Sequence, residues 1–146
     1  METEEIMNEN TVPKRPMFLT VLCILSFISA GLGSLTALLT PLFADAIIEF
    51  LQNTPGYDET EMNETIQVLQ AGWGFYSVTF LLALGSFIGV FFMWNLKKTG
   101  FHFYAISNLG LLLTPMLLFG MPINWTSIFF TASFILLYAV NLKYMK

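Results

Sequence analysis

Four long apolar runs divide the chain: residues 17–40, 73–96, 101–120 and 125–142. None carries a charge except at its lysine-bearing border, and each is long enough, or nearly so, to cross a hydrocarbon core of ~30 Å as a helix. Runs of this length far exceed ordinary strands, so the pattern predicts helices throughout. The fold class it implies is an all-α membrane protein of four transmembrane helices in two hairpins, with the first hairpin extended outside the membrane by amphipathic helices over 41–72.

That extension has its own pattern. Pro41 interrupts the first run, and beyond it Asp45, Glu49 and Gln52 recur on one helical face opposite Phe43, Ile47, Phe50 and Leu51. Asn53-Thr54-Pro55-Gly56-Tyr57-Asp58 reads as a turn, and Asp58 or Thr60 can cap the next helix. Met62, Ile66, Leu69 and Trp73 then form a stripe leading into the second run, with Gly72 and Gly74 marking a bend. Flat-lying interfacial helices are typically rich in Lys and Arg. This segment has six acids and no base. It is therefore expected to stand up from the membrane, pairing Ile47 with Leu69 and Phe50 with Ile66, and to present Tyr57, Asp58, Glu59, Glu61 and Glu64 as a partner surface.

The remaining connections are short. Lys97 and Lys98 lie between Trp94 and Tyr104, with Gly100 placed to end a helix without strain; Thr114-Pro115 marks a kink, and 121–124 leaves room only for a tight turn. Small residues supply the expected helix-packing face, Ser26, Ala30, Gly33 and Ala37 in the first span and Gly85, Ser86 and Gly89 in the second, because small side chains let helix backbones approach in lipid. An antiparallel seam would set Ser26 and Ala30 against Gly89 and Gly85. Ser107 and Asn108 are polar positions inside the third span, suited to bonding a neighbouring helix or lining a polar path.

Charge adds an orientation. All six Lys and Arg fall in three clusters, Lys14-Arg15, Lys97-Lys98 and Lys143 with Lys146, which the four-span arrangement gathers on one side. By the positive-inside rule both termini are cytoplasmic, as expected in a cell inner membrane. Residues 1–16 form an acidic cytoplasmic tail with four glutamates and little to bury, expected to be disordered. The alternative of a cleaved signal is weakened by the length of the first apolar run. Hydrophobic residues make up 55% of the chain and charged ones 11%, against roughly a quarter in soluble domains. The net charge of −4 disfavours a nucleic-acid partner. The lipid bilayer is the first expected partner, with a homo-oligomer or a larger membrane complex beyond it.

Candidate chemistry is sparse. A single cysteine, Cys23, excludes an intramolecular disulfide. No ionisable residue falls inside a span by these boundaries. Asp45 and Glu49 could hold a cation, although the wet face of an amphipathic helix is the plainer reading. His102 sits at a helix start and is a poor haem ligand on its own. No catalytic pair, metal ligand set or phosphate loop can be assembled, so no catalytic, cofactor or metal residue is expected.

Two blocks, Pro16-Met17-Phe18-Leu19-Thr20-Val21-Leu22-Cys23-Ile24-Leu25 and Met93-Trp94-Asn95-Leu96-Lys97-Lys98-Thr99-Gly100-Phe101 with Tyr104 after it, resemble a group of uncharacterised small bacterial proteins with four predicted transmembrane helices. The resemblance implies a bacterial cytoplasmic membrane and supplies no activity. The expected function is that of a non-enzymatic structural or interaction subunit; the alternative is a small transporter or channel subunit in which Ser107, Asn108 and the Pro115 kink line a path.

Overall fold

The computed structural model describes residues 15–146, so residues 1–14, which hold most of the acidic tail, lie outside the described residues. Five α-helices follow one another: α1 (Met17–Asn53), α2 (Glu59–Leu69), α3 (Gly72–Trp94), α4 (Thr99–Phe119) and α5 (Trp125–Asn141), closed by a short 3-10 turn, Leu142–Tyr144. Four of them, α1, α3, α4 and α5 with its 3-10 extension, are long and apolar enough to span a membrane. The chain is an all-α, multi-pass membrane-type protein.

Pro41 does not break α1. It sits inside a continuous helix of 37 residues. A proline removes one backbone hydrogen bond and crowds the preceding turn, which bends a helix more readily than it ends one when neighbouring turns are apolar and well bonded. At ~1.5 Å per residue α1 is about 55 Å long, so well over a third of it lies beyond a ~30 Å hydrocarbon core. The expected hairpin extension is thus carried by the same helix rather than by a separate one. Its hydroxyls bond back into the helix, Ser34 to the Ala30 carbonyl and Thr36 to the Leu32 carbonyl at 2.8 Å each, so these polar residues ask nothing of lipid.

In the hairpin, Asp58 rather than Thr60 is the cap: its carboxylate accepts the Thr60 N–H at 2.8 Å. Phe50 departs from its expected place on the paired face. Phe50 is 65% exposed, while Leu51 and Leu69, each 8% exposed, are the buried residues where α1 meets α2. Phe50 follows Glu49 on the outer side of the helix, and Leu51, one residue on, turns inward. The stripe also stops at Leu69. Gln70 ends α2, Gly72 adopts φ 76°, and this break swings Trp73 outward to 59% exposure. The Tyr76 hydroxyl donates to the Val68 carbonyl at 3.0 Å and ties the start of α3 to the end of α2.

At the opposite end, Leu96 rather than a glycine takes the left-handed position, φ 58°. Lys97 N–H reaches the Phe92 carbonyl and Leu96 N–H the Met93 carbonyl, each at 2.9 Å, which is the paired closure that commonly ends helices. Gly100 is a packing residue instead of a terminator: it lies in the first turn of α4, where a β-carbon would collide with the Gly89 carbonyl oxygen and approach Met93 N to 2.6 Å. The chain's last residue closes this end, since Lys146 N–H donates to the Leu96 carbonyl at 2.7 Å and the Lys146 carbonyl accepts from Lys98 N–H at 2.9 Å. Arg15 lies over the Trp94 ring at 4.2 Å. Arg15, Lys97, Lys98, Lys143 and Lys146 therefore share one end of the bundle, and the acids of 41–72 share the other.

The core belongs to the basic end. Leu19, Leu22, Cys23, Val90, Met93, Tyr104, Tyr138 and Met145 form one buried cluster. Helix α3 is central, packed against α1 on one side and α4 on the other, whereas α5 is buried only at Tyr138 and Asn141. None of the buried residues falls in its first half, and two recesses lie between that half and the other helices.

Candidate functional site

The small residues expected to form one seam divide between two. Gly85 and Gly89 face α4, not α1: a β-carbon on Gly85 would lie 2.5 Å from the Ser107 hydroxyl, and one on Gly89 would lie 2.6 Å from the Tyr104 backbone nitrogen and 2.9 Å from the Gly100 carbonyl. Gly89 and Gly100 are thus the crossing point of α3 and α4. Ser26, Ala30 and Ala37 are buried on α1, while Gly33 is exposed with nothing within 4 Å of an added β-carbon and so makes no packing contact there. The proposed pairing of Ser26 and Ala30 with Gly89 and Gly85 is replaced because those glycines are spent on the closer α3–α4 crossing.

Ser26 instead ends a polar cluster. The Tyr138 hydroxyl donates to the Ser26 hydroxyl at 2.8 Å, and the Tyr138 ring meets that of Tyr104 edge-on at 4.9 Å. Toward the acidic end the next polar group is Asn108. Its amide nitrogen donates to the Tyr104 carbonyl at 2.8 Å and to the Ser86 hydroxyl at 2.9 Å, which bonds α4 to α3. Since a carbonyl can only accept, the nitrogen must face Tyr104 and the orientation of the amide is fixed. Its Oδ1 accepts no hydrogen bond from the described residues, and among them no polar side-chain atom is both enclosed and unsatisfied. That oxygen is therefore open to the space beside it.

That space is a recess between the first half of α5 and the other helices. Its inner part, about 350 Å³, is bounded by Ser26 and Ala30 of α1, Ser86 of α3, Tyr104 and Asn108 of α4 and Phe134 of α5. Its outer part, again about 350 Å³, runs from Asn108 past Pro115 to the α4–α5 turn at Pro122 and Asn124, with Glu64 of α2 at the rim. Asn108, Leu111 and Thr131 line both, so the two parts adjoin. Its inner part is lined by Ser26, which bonds Tyr138, and its outer part by Glu64, which is exposed.

Pro115 also lines the outer part. With no N–H, it leaves the Leu111 carbonyl without the donor one turn on that an α-helix normally provides. Ser107, by contrast, points at Gly85 and stays outside the recess. Asn108 bonds a neighbouring helix, as one of its two expected roles requires, and it also lines the recess. Thr131 and Tyr138 lie in apolar stretches without a spacing cue. Tyr57, Asp58, Glu59, Glu61 and Glu64 are all exposed, and of these only Glu64 borders the recess. Among the described residues no group of three or more His, Cys, Asp or Glu could hold a metal ion. No protein-family model, curated protein or solved structure matches the chain.

Proposed function

We propose that this is a non-enzymatic protein of a bacterial cytoplasmic membrane, with both termini cytoplasmic, that binds a small ligand in the recess between α5 and the bundle. The recess faces the extracytoplasmic side. The observation that carries the reading is Asn108: a polar side chain at membrane depth whose amide nitrogen is locked to Tyr104 and Ser86 and whose oxygen is left facing a lined space. Polar groups at that depth are costly unless used, and the two cavities match the ~300–1,000 Å³ typical of ligand sites.

The test is native mass spectrometry of the protein released from nanodiscs, wild type against Thr131→Trp, whose indole fills the junction of the two cavities. A bound mass retained by the wild type and lost from a folded Thr131→Trp variant supports the reading; identical spectra contradict it. The second reading, an interaction subunit of a homo-oligomer or larger complex, is favoured by the α1–α2 hairpin, which holds Tyr57 and the acids Asp58, Glu59 and Glu61 clear of the bundle. Deleting 54–61 in a short closed turn would remove such a partner and leave the recess ligand bound.

A further inference from the structure

We propose that the basic end of the bundle binds the headgroup of an anionic phospholipid, its phosphate held among Lys97, Lys98 and Lys146. The inference is independent of the recess. The main chain itself brings these lysines together: Lys146 N–H donates to the Leu96 carbonyl at 2.7 Å, and the Lys146 carbonyl accepts from Lys98 N–H at 2.9 Å. Three ammonium groups on flexible four-carbon stems thus rise from one short, doubly bonded piece of backbone, and all three residues are exposed. Like charges set side by side repel. No described carboxylate offsets them, since Asp45, Glu49, Asp58, Glu59, Glu61 and Glu64 all belong to the hairpin at the other end. Lys98 is also the N-cap of α4, whose dipole adds to the positive potential there.

The surroundings favour a membrane anion over a soluble one. Arg15 lies over the Trp94 ring at 4.2 Å and Lys97 over the Phe92 ring at 5.7 Å, so bases and aromatic rings share one level, as they do where helices cross the headgroup region. Helix α4 starts at Thr99, beside the lysines, and its first turns expose Phe103 and Ile106. These form an apolar track for an acyl chain whose phosphate sits among the ammonium groups. A cluster of four to eight bases just outside a span is the usual footprint of anionic-lipid recognition, and Arg15, Lys97, Lys98, Lys143 and Lys146 make such a cluster from three separate stretches of the chain. A headgroup with net negative charge, such as phosphatidylglycerol, fits it. Phosphatidylcholine fits less well, because its quaternary ammonium returns a positive charge against the lysines. In the orientation proposed above the lipid belongs to the cytoplasmic leaflet, although its binding does not depend on that orientation.

The test releases full-length protein from nanodiscs of equal phosphatidylglycerol and phosphatidylcholine, with acyl chains of different length so that the two lipids differ in mass, and weighs the retained lipids by native mass spectrometry. Expected is an enrichment of phosphatidylglycerol of about fivefold, the equivalent of ~1 kcal/mol. Changing Lys97, Lys98 and Lys146 together to Gln should return the two lipids to parity; the residues are exposed and the backbone bonds of Lys146 are kept. Lys146→Gln alone should lower the enrichment, whereas Lys143→Gln, which removes the same charge outside the bonded stretch, should preserve it. Equal retention of the two lipids by the wild type would overturn the proposal. An equal loss from Lys143→Gln and Lys146→Gln would also overturn it, since that marks a diffuse field rather than a site. A phosphate adduct that displaces phosphatidylglycerol when the buffer contains inorganic phosphate would assign the lysines to a soluble anion and overturn the lipid. Glu2, Glu4, Glu5 and Glu9 lie outside the described residues. Enrichment that appears only after all four are changed to Gln would give the lysines to that segment of the chain, again overturning the lipid.

Discussion

Replacing Gly89 by alanine adds one methyl group at the tightest crossing in the bundle. Its β-carbon would stand 2.6 Å from Tyr104 N, 2.9 Å from the Gly100 carbonyl and 3.0 Å from Tyr104 Cα. All three neighbours are backbone, so no side chain can rotate away. To restore ordinary contact the helices must separate by roughly 0.8 Å, and a gap of that order forfeits a quarter to a half of the dispersion attraction of the atoms it separates. Overpacking of this kind costs about 1–3 kcal/mol. Alanine also gains up to ~1 kcal/mol over glycine as a helix residue, which would blur the result, so the informative comparison is Gly33→Ala. That site gains the same propensity with nothing within 4 Å of the new atom. The two variants should then differ by the packing cost alone, about 1–3 kcal/mol, with Gly89→Ala the less stable. Reversible unfolding in mixed micelles, followed by far-UV circular dichroism against the mole fraction of denaturing detergent, measures the difference. Gly85→Ala should fall between them, since the atom it meets is the Ser107 hydroxyl, which can turn aside. Equal stability of Gly89→Ala and Gly33→Ala would refute the glycine crossing of α3 and α4.

Other expectations follow from the two ends of the bundle. Tyr138→Phe removes the hydrogen bond to Ser26 and should lower stability by about 0.6–1.7 kcal/mol, the range found for interhelical bonds in membranes; no change in the same unfolding assay would mean that the bond carries no net energy. Met145→Ala should cost about 2 kcal/mol or more, because this side chain is buried in the core cluster, and a loss below 0.5 kcal/mol, roughly the scale of a surface change, would place it outside. In a Cys23→Ala background, a thiol introduced at Phe50 should react with a water-soluble maleimide faster than one at Leu51, and the reverse order would return Phe50 to the paired face expected from the sequence. Reporter fusions after Tyr57 and after Lys146 should report opposite compartments; agreement between them would break the four-span arrangement.

The helices were legible in the sequence because lipid imposes a blunt requirement, ~20 apolar residues per crossing, which local composition displays directly. The acidic cap, Asp58, and the break near Gly72 were legible for similar local reasons. Pairing between helices was less so. In a membrane the outward face is as apolar as the inward one, so hydrophobic periodicity does not mark the face that packs, and Gly85 and Gly89 could be recognised as packing residues without showing that α4 was their partner. Gly100 carried two meanings, terminator or close-packing residue, and only the approach of Gly89 separates them. Pro41 was ambiguous in the same way, between a break and a tolerated interior proline. As for the recess, Asn108 and Pro115 were visible as polar and kinked positions, but the enclosing elements come from all four spans and from α2, and their convergence depends on how α5 sits against the bundle.

The most direct measurement of the recess is water access at Thr131, deep in the fourth span. Thr131→Cys, in the Cys23→Ala background, is treated on intact cells with a membrane-impermeant maleimide, alongside Leu136→Cys, whose parent side chain is exposed on the outside of the bundle. The account predicts that the thiol at 131 is modified from outside the cell, while the thiol at 136 stays unmodified in lipid. Equal inertness at 131 and 136, in protein shown to be folded and inserted, would contradict an outward-opening recess.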